Sequence, residues 1–144
     1  MLPTHSYMKI DIVTLKLSHL RQMGENDAMQ NGLRMMGLGL CVLADGEPVA
    51  AGGIVRLWDE VGKAWALHTE RSRASALILR RCHVLAKQQI PLVRHAMGLR
   101  RLEADTLAEP QYCTWLSRLG FIWEGEMRSY KDGKTYARFA WVRG

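Results

Sequence analysis

The sequence predicts a mixed α/β sheet with helices on both faces, and three observations predict it. Residues 38–69 hold three alternating apolar stretches separated by two turn signals. A long amphipathic helical pattern starts at Ser72. Residues 101–142 run strand, helix, Gly-Phe stop and hairpin. With a weak strand and a helix ahead of them, the order is β-α-βββ-α-β-α-ββ, with a strand–helix–strand unit in the middle.

Lys9–Leu15 alternates weakly and reads as the first strand. Ser18 is the expected N-cap of a helix running to about Met29, and Asn31-Gly32 and Gly37 then break the pattern. Leu38–Ala44 reads as a strand, Asp45-Gly46-Glu47-Pro48 as a turn and Val49–Trp58 as the returning strand. A second turn, Asp59-Glu60-Val61-Gly62, leads into Lys63–Thr69, with Trp65 and Leu67 on one face and Ala64, Ala66 and His68 on the other.

The long helix runs from Ser72 to about Gln89. Ile78, Leu79, Cys82, Leu85 and Ala86 form its apolar stripe, and Arg80, Arg81, His83, Lys87 and Gln88 fall opposite. Leu77 and Val84 sit among that polar set and predict a second buried contact. Pro91 ends or kinks the helix, and Gly98 closes a short continuation over Leu92–Met97. Arg101–Leu107 is a strand and Pro110–Leu119 a helix stopped by Gly120. Phe121 returns the chain to the core, and two strands follow around a Lys131-Asp132-Gly133-Lys134 turn.

The length, 144 residues, predicts one domain over residues 1–144 with a core of its own. No apolar run approaches the roughly 18–20 residues that cross a bilayer. Met1–Ser6 has neither the basic nor the apolar region of a secretion signal. A cytoplasmic protein without membrane attachment is therefore expected. Cys41, Cys82 and Cys113 are odd in number and far apart, which argues for buried small hydrophobes over a disulfide framework or a zinc site. The net charge of +6 suits a polyanion or a small multiply phosphorylated cofactor. Nucleic acid is disfavoured, because the basic helix lacks interleaved aromatics and no binding motif is present.

Trp115-Leu116-Ser117-Arg118-Leu119-Gly120-Phe121, then Glu124-Gly125, Arg128, Tyr130 and Tyr136, resemble the closing helix and strands of the GNAT N-acetyltransferases. The likeness covers about residues 8–142. It implies the GNAT fold: a mostly antiparallel sheet of six to seven strands with helices on both faces. It also implies an N-acetyltransferase that moves acetyl from acetyl-CoA to a primary amine.

By that resemblance the cofactor pyrophosphate lies at the strand-to-helix junction, where the family reads Q/R-x-x-G-x-G/A. This chain reads Arg71-Ser72-Arg73-Ala74-Ser75-Ala76, so Arg71 and Ala76 fit and Ala74 replaces a glycine. Arg80 and Arg81 would add positive charge there. Backbone groups around Leu67–Thr69 would receive the pantetheine arm and polarise the thioester carbonyl. His68 and Glu70 are the candidate bases, and His68 has a suitable ordinary pKa. The family's Asn falls on Glu109 and its Tyr, often the acid for the departing thiolate, on Leu116; Tyr112, one turn earlier, is the candidate substitute.

Ala74, Glu109 and Leu116 together also suit a fold kept without its chemistry. The Trp65-Ala66-Leu67-His68-Thr69 strand and the Trp-Leu-x-x-Leu-Gly-Phe helix resemble small acetyltransferase-like proteins of short-tailed bacteriophages. That likeness implies an alternative: a viral protein, in the host cytoplasm, that binds a host protein or serves virion assembly. The acceptor is expected near Gln22–Gly39, whose methionines offer an adaptable surface, and five Trp allow a homodimer.

Overall fold

A computed structural model describes residues 7–144; Met1–Ser6, on which the secretion-signal reading rests, lies outside the described residues. The elements are β1 (Ile10–Thr14), α1 (Leu17–Gln22), α2 (Ala28–Met35), β2 (Leu38–Ala44), β3 (Glu47–Trp58), β4 (Val61–His68), α3 (Glu70–Arg73), α4 (Ala76–Ala96), β5 (Arg101–Leu107), α5 (Pro110–Arg118), β6 (Ile122–Lys131) and β7 (Lys134–Val142). They form one seven-stranded sheet in the order β1-β2-β3-β4-β5-β7-β6. β4 and β5 run parallel. The other neighbouring pairs are antiparallel.

The hairpins follow from local turn chemistry. Asp45 and Gly46 both take positive φ, 51° and 81°, the two-residue turn that matches strand twist, so Ala44 pairs with Glu47. Glu47 and Pro48 thus belong to β3 rather than to the turn. Likewise Val61 and Gly62 belong to β4, and the turn shrinks to Asp59-Glu60. Asp132 and Gly133, at 54° and 70°, close β6 onto β7 as expected.

Two helices differ from expectation. The single helix over Ser18–Met29 is two helices. Gly24, at φ +89°, ends α1, and Asp27 starts α2 by accepting a hydrogen bond from the Gln30 N–H at 3.0 Å. Ser18 lies inside α1, where the Lys16 N–H donates to His19 Nδ1 at 3.0 Å. Asn31-Gly32 does not break α2: buried Asn31 donates to the Glu25 carbonyl at 2.8 Å and anchors the inter-helix loop.

The helix from Ser72 is also two pieces. α3 is a single turn, and α4 starts after Ser75, whose hydroxyl accepts from the Ile78 N–H at 3.2 Å. α4 then continues past Pro91 to Ala96. Pro91 and Lys87 both lie on its exposed side, where a helix tolerates the carbonyl that Pro91 cannot serve. Gly98, at φ +65°, ends it.

The faces alternate with strand parity. On one, Leu20 of α1 packs with Cys41, Ala51, Trp65 and Leu67. On the other, Ile78 of α4 packs with Val42, Ala44, Val49 and Ala50. Leu116 of α5 closes the largest cluster with Leu102, Ala104, Phe121 and Phe139. Leu79, expected inside, is 38% exposed, and Leu77 and Val84 gain no buried contact, at 51% and 44%. Cys41 is fully buried and Cys82 and Cys113 half-buried; all three are free thiols. No helix among the described residues is long and apolar enough to cross a membrane.

Candidate active site

The ladder between β4 and β5 stops at Ala64↔Ala104. β4 nevertheless stays on β3 as far as Ala50↔His68, and β5 stays on β7 as far as Leu107↔Tyr136. The sheet therefore splits into a V, and the β4 edge from Trp65 to His68 has no ladder partner on its β5 side. The Thr69 N–H donates to the Val49 carbonyl at 2.9 Å. Backbone groups alternate sides along a strand, so Leu67 and Trp65 also address β3. The polar groups of Ala66 and His68 address the V. Leu67 and Thr69, sequence candidates for the same role, face β3, while Ala66 and His68 face the V.

Opposite charges close the crotch of the V. Lys63 Nζ lies 2.9 Å from Asp105 Oδ2, and Arg138 grips Asp105 with Nε and Nη2 at 2.9 and 3.2 Å. Burial alone would raise the Asp105 pKa, but the hydrogen bonds from Arg138 and Lys63 hold it below the ordinary value.

His68 stands at the mouth, on the face covered by α4 and α5. Its Nδ1 is 2.8 Å from the hydroxyl of fully buried Ser72. Its ring meets the Trp115 indole edge-on, with centroids 6.3 Å apart. Trp115 is itself fixed by donating Nε1–H to His83 Nδ1 at 3.0 Å. Burial, with the Arg73 charge second, lowers the His68 pKa below its ordinary value. Ser72 thus engages Nδ1, and Nε2 makes no hydrogen bond among the described residues.

The junction loop is bonded to itself. The Ser72 N–H donates to Thr69 Oγ1, the Arg73 N–H to the Thr69 carbonyl, the Ala74 N–H to that of Glu70 and the Ser75 N–H to that of Ser72. The N–H groups of Ala76 and Leu77 remain at the open start of α4. Ala74 has φ −85°, so alanine there carries no left-handed strain. Arg71 turns to the β2–β3 turn and pairs with Asp45 at 3.0 Å and Glu47 at 3.1 Å. Arg73 donates to the His68 carbonyl at 2.7 Å and is otherwise exposed. Glu70 is exposed in the first turn of α3.

On the sheet face that α1 covers, Arg34 of α2 sits 5.6 Å from the Trp65 ring centroid and bonds Asn31 Oδ1 at 3.1 Å. The buried Trp65 Nε1–H has no hydrogen-bond partner among the described residues. Nothing in the sequence pattern marks that orphan donor.

No protein-family model and no curated protein matches the sequence. Solved structures do match. An IAA acetyltransferase from Bacillus cereus aligns with a TM-score of 0.71 at 11% identity, over 94% of this chain and 100% of that one. Mutant forms of the spermidine/spermine N-acetyltransferase SpeG from Vibrio cholerae align at 0.69 and 10%, over 93% and 95%. An acetyltransferase of the GNAT family from Streptococcus pneumoniae aligns at 0.67 and 13%, over 94% and 100%. The chain has the GNAT fold.

Leu116 and Glu109, where the resemblance sets the family's Tyr and Asn, are placed as follows. Leu116 is buried in the core with Leu102, Phe121 and Phe139. Glu109 precedes α5, and its carboxylate accepts from Gln111 Nε2 at 3.0 Å. Tyr112 is half-buried one turn before Trp115, with no side-chain hydrogen bond among the described residues. The expected glycine stop after α5 is present: Gly120 takes φ +94°, and the Phe121 N–H returns to the Leu116 carbonyl at 3.1 Å.

Proposed function

We propose that this chain is an N-acetyltransferase of the GNAT kind, acting as one domain, that moves acetyl from acetyl-CoA to a primary amine. The observation that carries the reading is the V between β4 and β5, with the Ala66 and His68 backbone groups turned into it. Such an unpaired edge fits an extended pantetheine arm as one more strand. The N–H groups of Ala66 and His68 would bond its amide and carbonyl oxygens. The Ala76 and Leu77 N–H groups at the start of α4, with the Arg73 guanidinium, would hold the phosphates. Arg71 holds the loop to the β2–β3 turn through Asp45 and Glu47.

When bound, acetyl-CoA supplies a thioester carbonyl open to attack. His68 takes the proton from the attacking amine on Nε2, and buried Ser72 holds the ring in place. Glu70 and Tyr112 are the remaining proton-transfer candidates: Glu70 as a second base, Tyr112 as the acid for the departing thiolate.

A second reading is favoured by the loop itself. With Arg71 paired to Asp45 and Glu47, and four loop N–H groups bonded internally, the same fold serves as a non-catalytic module. Its partner would be a host or virion protein, as the phage resemblance implies. Acetyl-CoA decides between the two. A ligand at 100 times its Kd adds about 2.7 kcal/mol, so the catalytic reading expects a clear rise in unfolding midpoint, diminished by Arg73→Ala. An unchanged midpoint at millimolar acetyl-CoA overturns it.

A further inference from the structure

Between Glu70 and Glu103 the chain has eight Arg and Lys and no acidic residue. α4 carries the middle of that stretch along its 21 residues. Its solvent side has its own pattern. Leu77, Val84 and Pro91 recur every seventh residue, Leu92 flanks the last, and Arg80, Arg81 and Lys87 lie beside the row. Leu77, Val84 and Leu92 are 51%, 44% and 63% exposed. Arg80, Arg81 and Lys87 make no ion pair among the described residues. The second contact that the pattern predicts for Leu77 and Val84 is not made among the described residues.

We propose that this face docks an acidic amphipathic helix of a partner protein. From Leu77 to Leu92 the row runs about 22 Å at 1.5 Å per residue. A seven-residue apolar repeat matches the repeat another helix presents in side-by-side packing. The flanking cations then meet carboxylates on either side of the partner's apolar seam. The other occupants fit less well. A second copy would set this basic row against itself. Nucleic acid would place phosphates against aliphatic side chains with no aromatic to stack on bases. A membrane surface calls for a broader apolar face with aromatic anchors.

The test uses a labelled synthetic 21-residue peptide, matching α4 in length. It carries Leu at alternating three- and four-residue spacing and Glu on both flanks. Its binding to the full chain is followed by fluorescence anisotropy. The proposal expects saturable binding that weakens with salt. Binding should drop at least about tenfold in Val84→Ser/Leu92→Ser and, separately, in Arg81→Glu/Lys87→Glu. These positions are exposed, and an unchanged unfolding midpoint in each variant certifies the fold. Absence of binding overturns the proposal. So does equal affinity for polyglutamate, single-stranded DNA or phosphatidylserine vesicles with no effect of the Val84 and Leu92 changes.

Discussion

His68 Nδ1 and Ser72 Oγ lie 2.8 Å apart, and Ser72 has no exposed surface. One turn of helix, α3, sets this distance. Thr69 caps the turn, and Ser72, three residues on, folds back over the end of β4. The contact joins a strand end at the V to the loop beyond it, so the proposed base and the proposed cofactor loop are mechanically one unit.

His68→Gln is therefore expected to lower acetyl transfer by about 10²–10⁴-fold while the acetyl-CoA Kd stays near wild type. Ser72→Ala, which frees the ring, should lower kcat with little change in KM. In the wild type, activity should rise with pH through a midpoint below 6.5, because burial lowers the His68 pKa and the protonated ring is no base. A profile without that limb, or a variant with full kcat, removes His68 from the mechanism.

The same shift bears on stability. The folded pKa of His68 is depressed, so the unfolded chain binds the proton better. The contribution is complete above the unfolded value near 6.5 and is lost as pH falls through the lowered folded value. Urea midpoints should decline over that window in the wild type and decline less in His68→Gln.

Asp105 sets a second, more acidic window. Burial raises its pKa, but Arg138 and Lys63 outweigh that, and the folded value lies below the ordinary one. Its contribution is present above the unfolded carboxylate value and lost as pH falls through the folded value. Asp105→Asn should cost about 1–3 kcal/mol at pH 7, because it leaves two half-exposed cations facing a neutral amide. The difference from wild type should shrink in acid, and equal urea midpoints at pH 7 would contradict this.

Ser75 caps α4 through the Ile78 N–H. Ser75→Ala should cost about 1 kcal/mol in chemical denaturation, and Ser75→Asp should recover it, since an anion also suits a helix N-terminus. Equal loss in both would mean that packing, not capping, governs the position.

Burial pushes the Cys41 and Cys82 thiols up to about 11. In the folded protein at pH 8 both should react far more slowly with a thiol reagent than in urea. Fast labelling of Cys41 would require opening of the cluster around Leu20.

The strands were largely legible because their signals are local. Leu38–Ala44 needs only alternation and an Asp-Gly turn, and the closing hairpin only Asp132-Gly133. Gly120-Phe121 marks a helix stop for an equally local reason, the left-handed conformation that glycine adopts freely. The helices were less legible. Nothing within the Ser18–Met29 window says that Asn31 will reach back to Glu25, or that Asp27 will outcompete Ser18 as a cap. Pro91 reads as an end or a kink, yet it lies on the exposed side of α4, where the helix continues past it.

The sequence by itself determined the succession of strands and the Asp45-Gly46 and Asp132-Gly133 turns, because periodicity and turn chemistry act over a few residues. Tertiary structure alone decided where the β4–β5 ladder ends, which backbone groups face the V, and that Arg71 pairs with Asp45 and Glu47 instead of standing free. Those outcomes depend on contacts between segments about 20 to 40 residues apart. Their geometry is set by how the two halves of the sheet pack, and no local pattern encodes it.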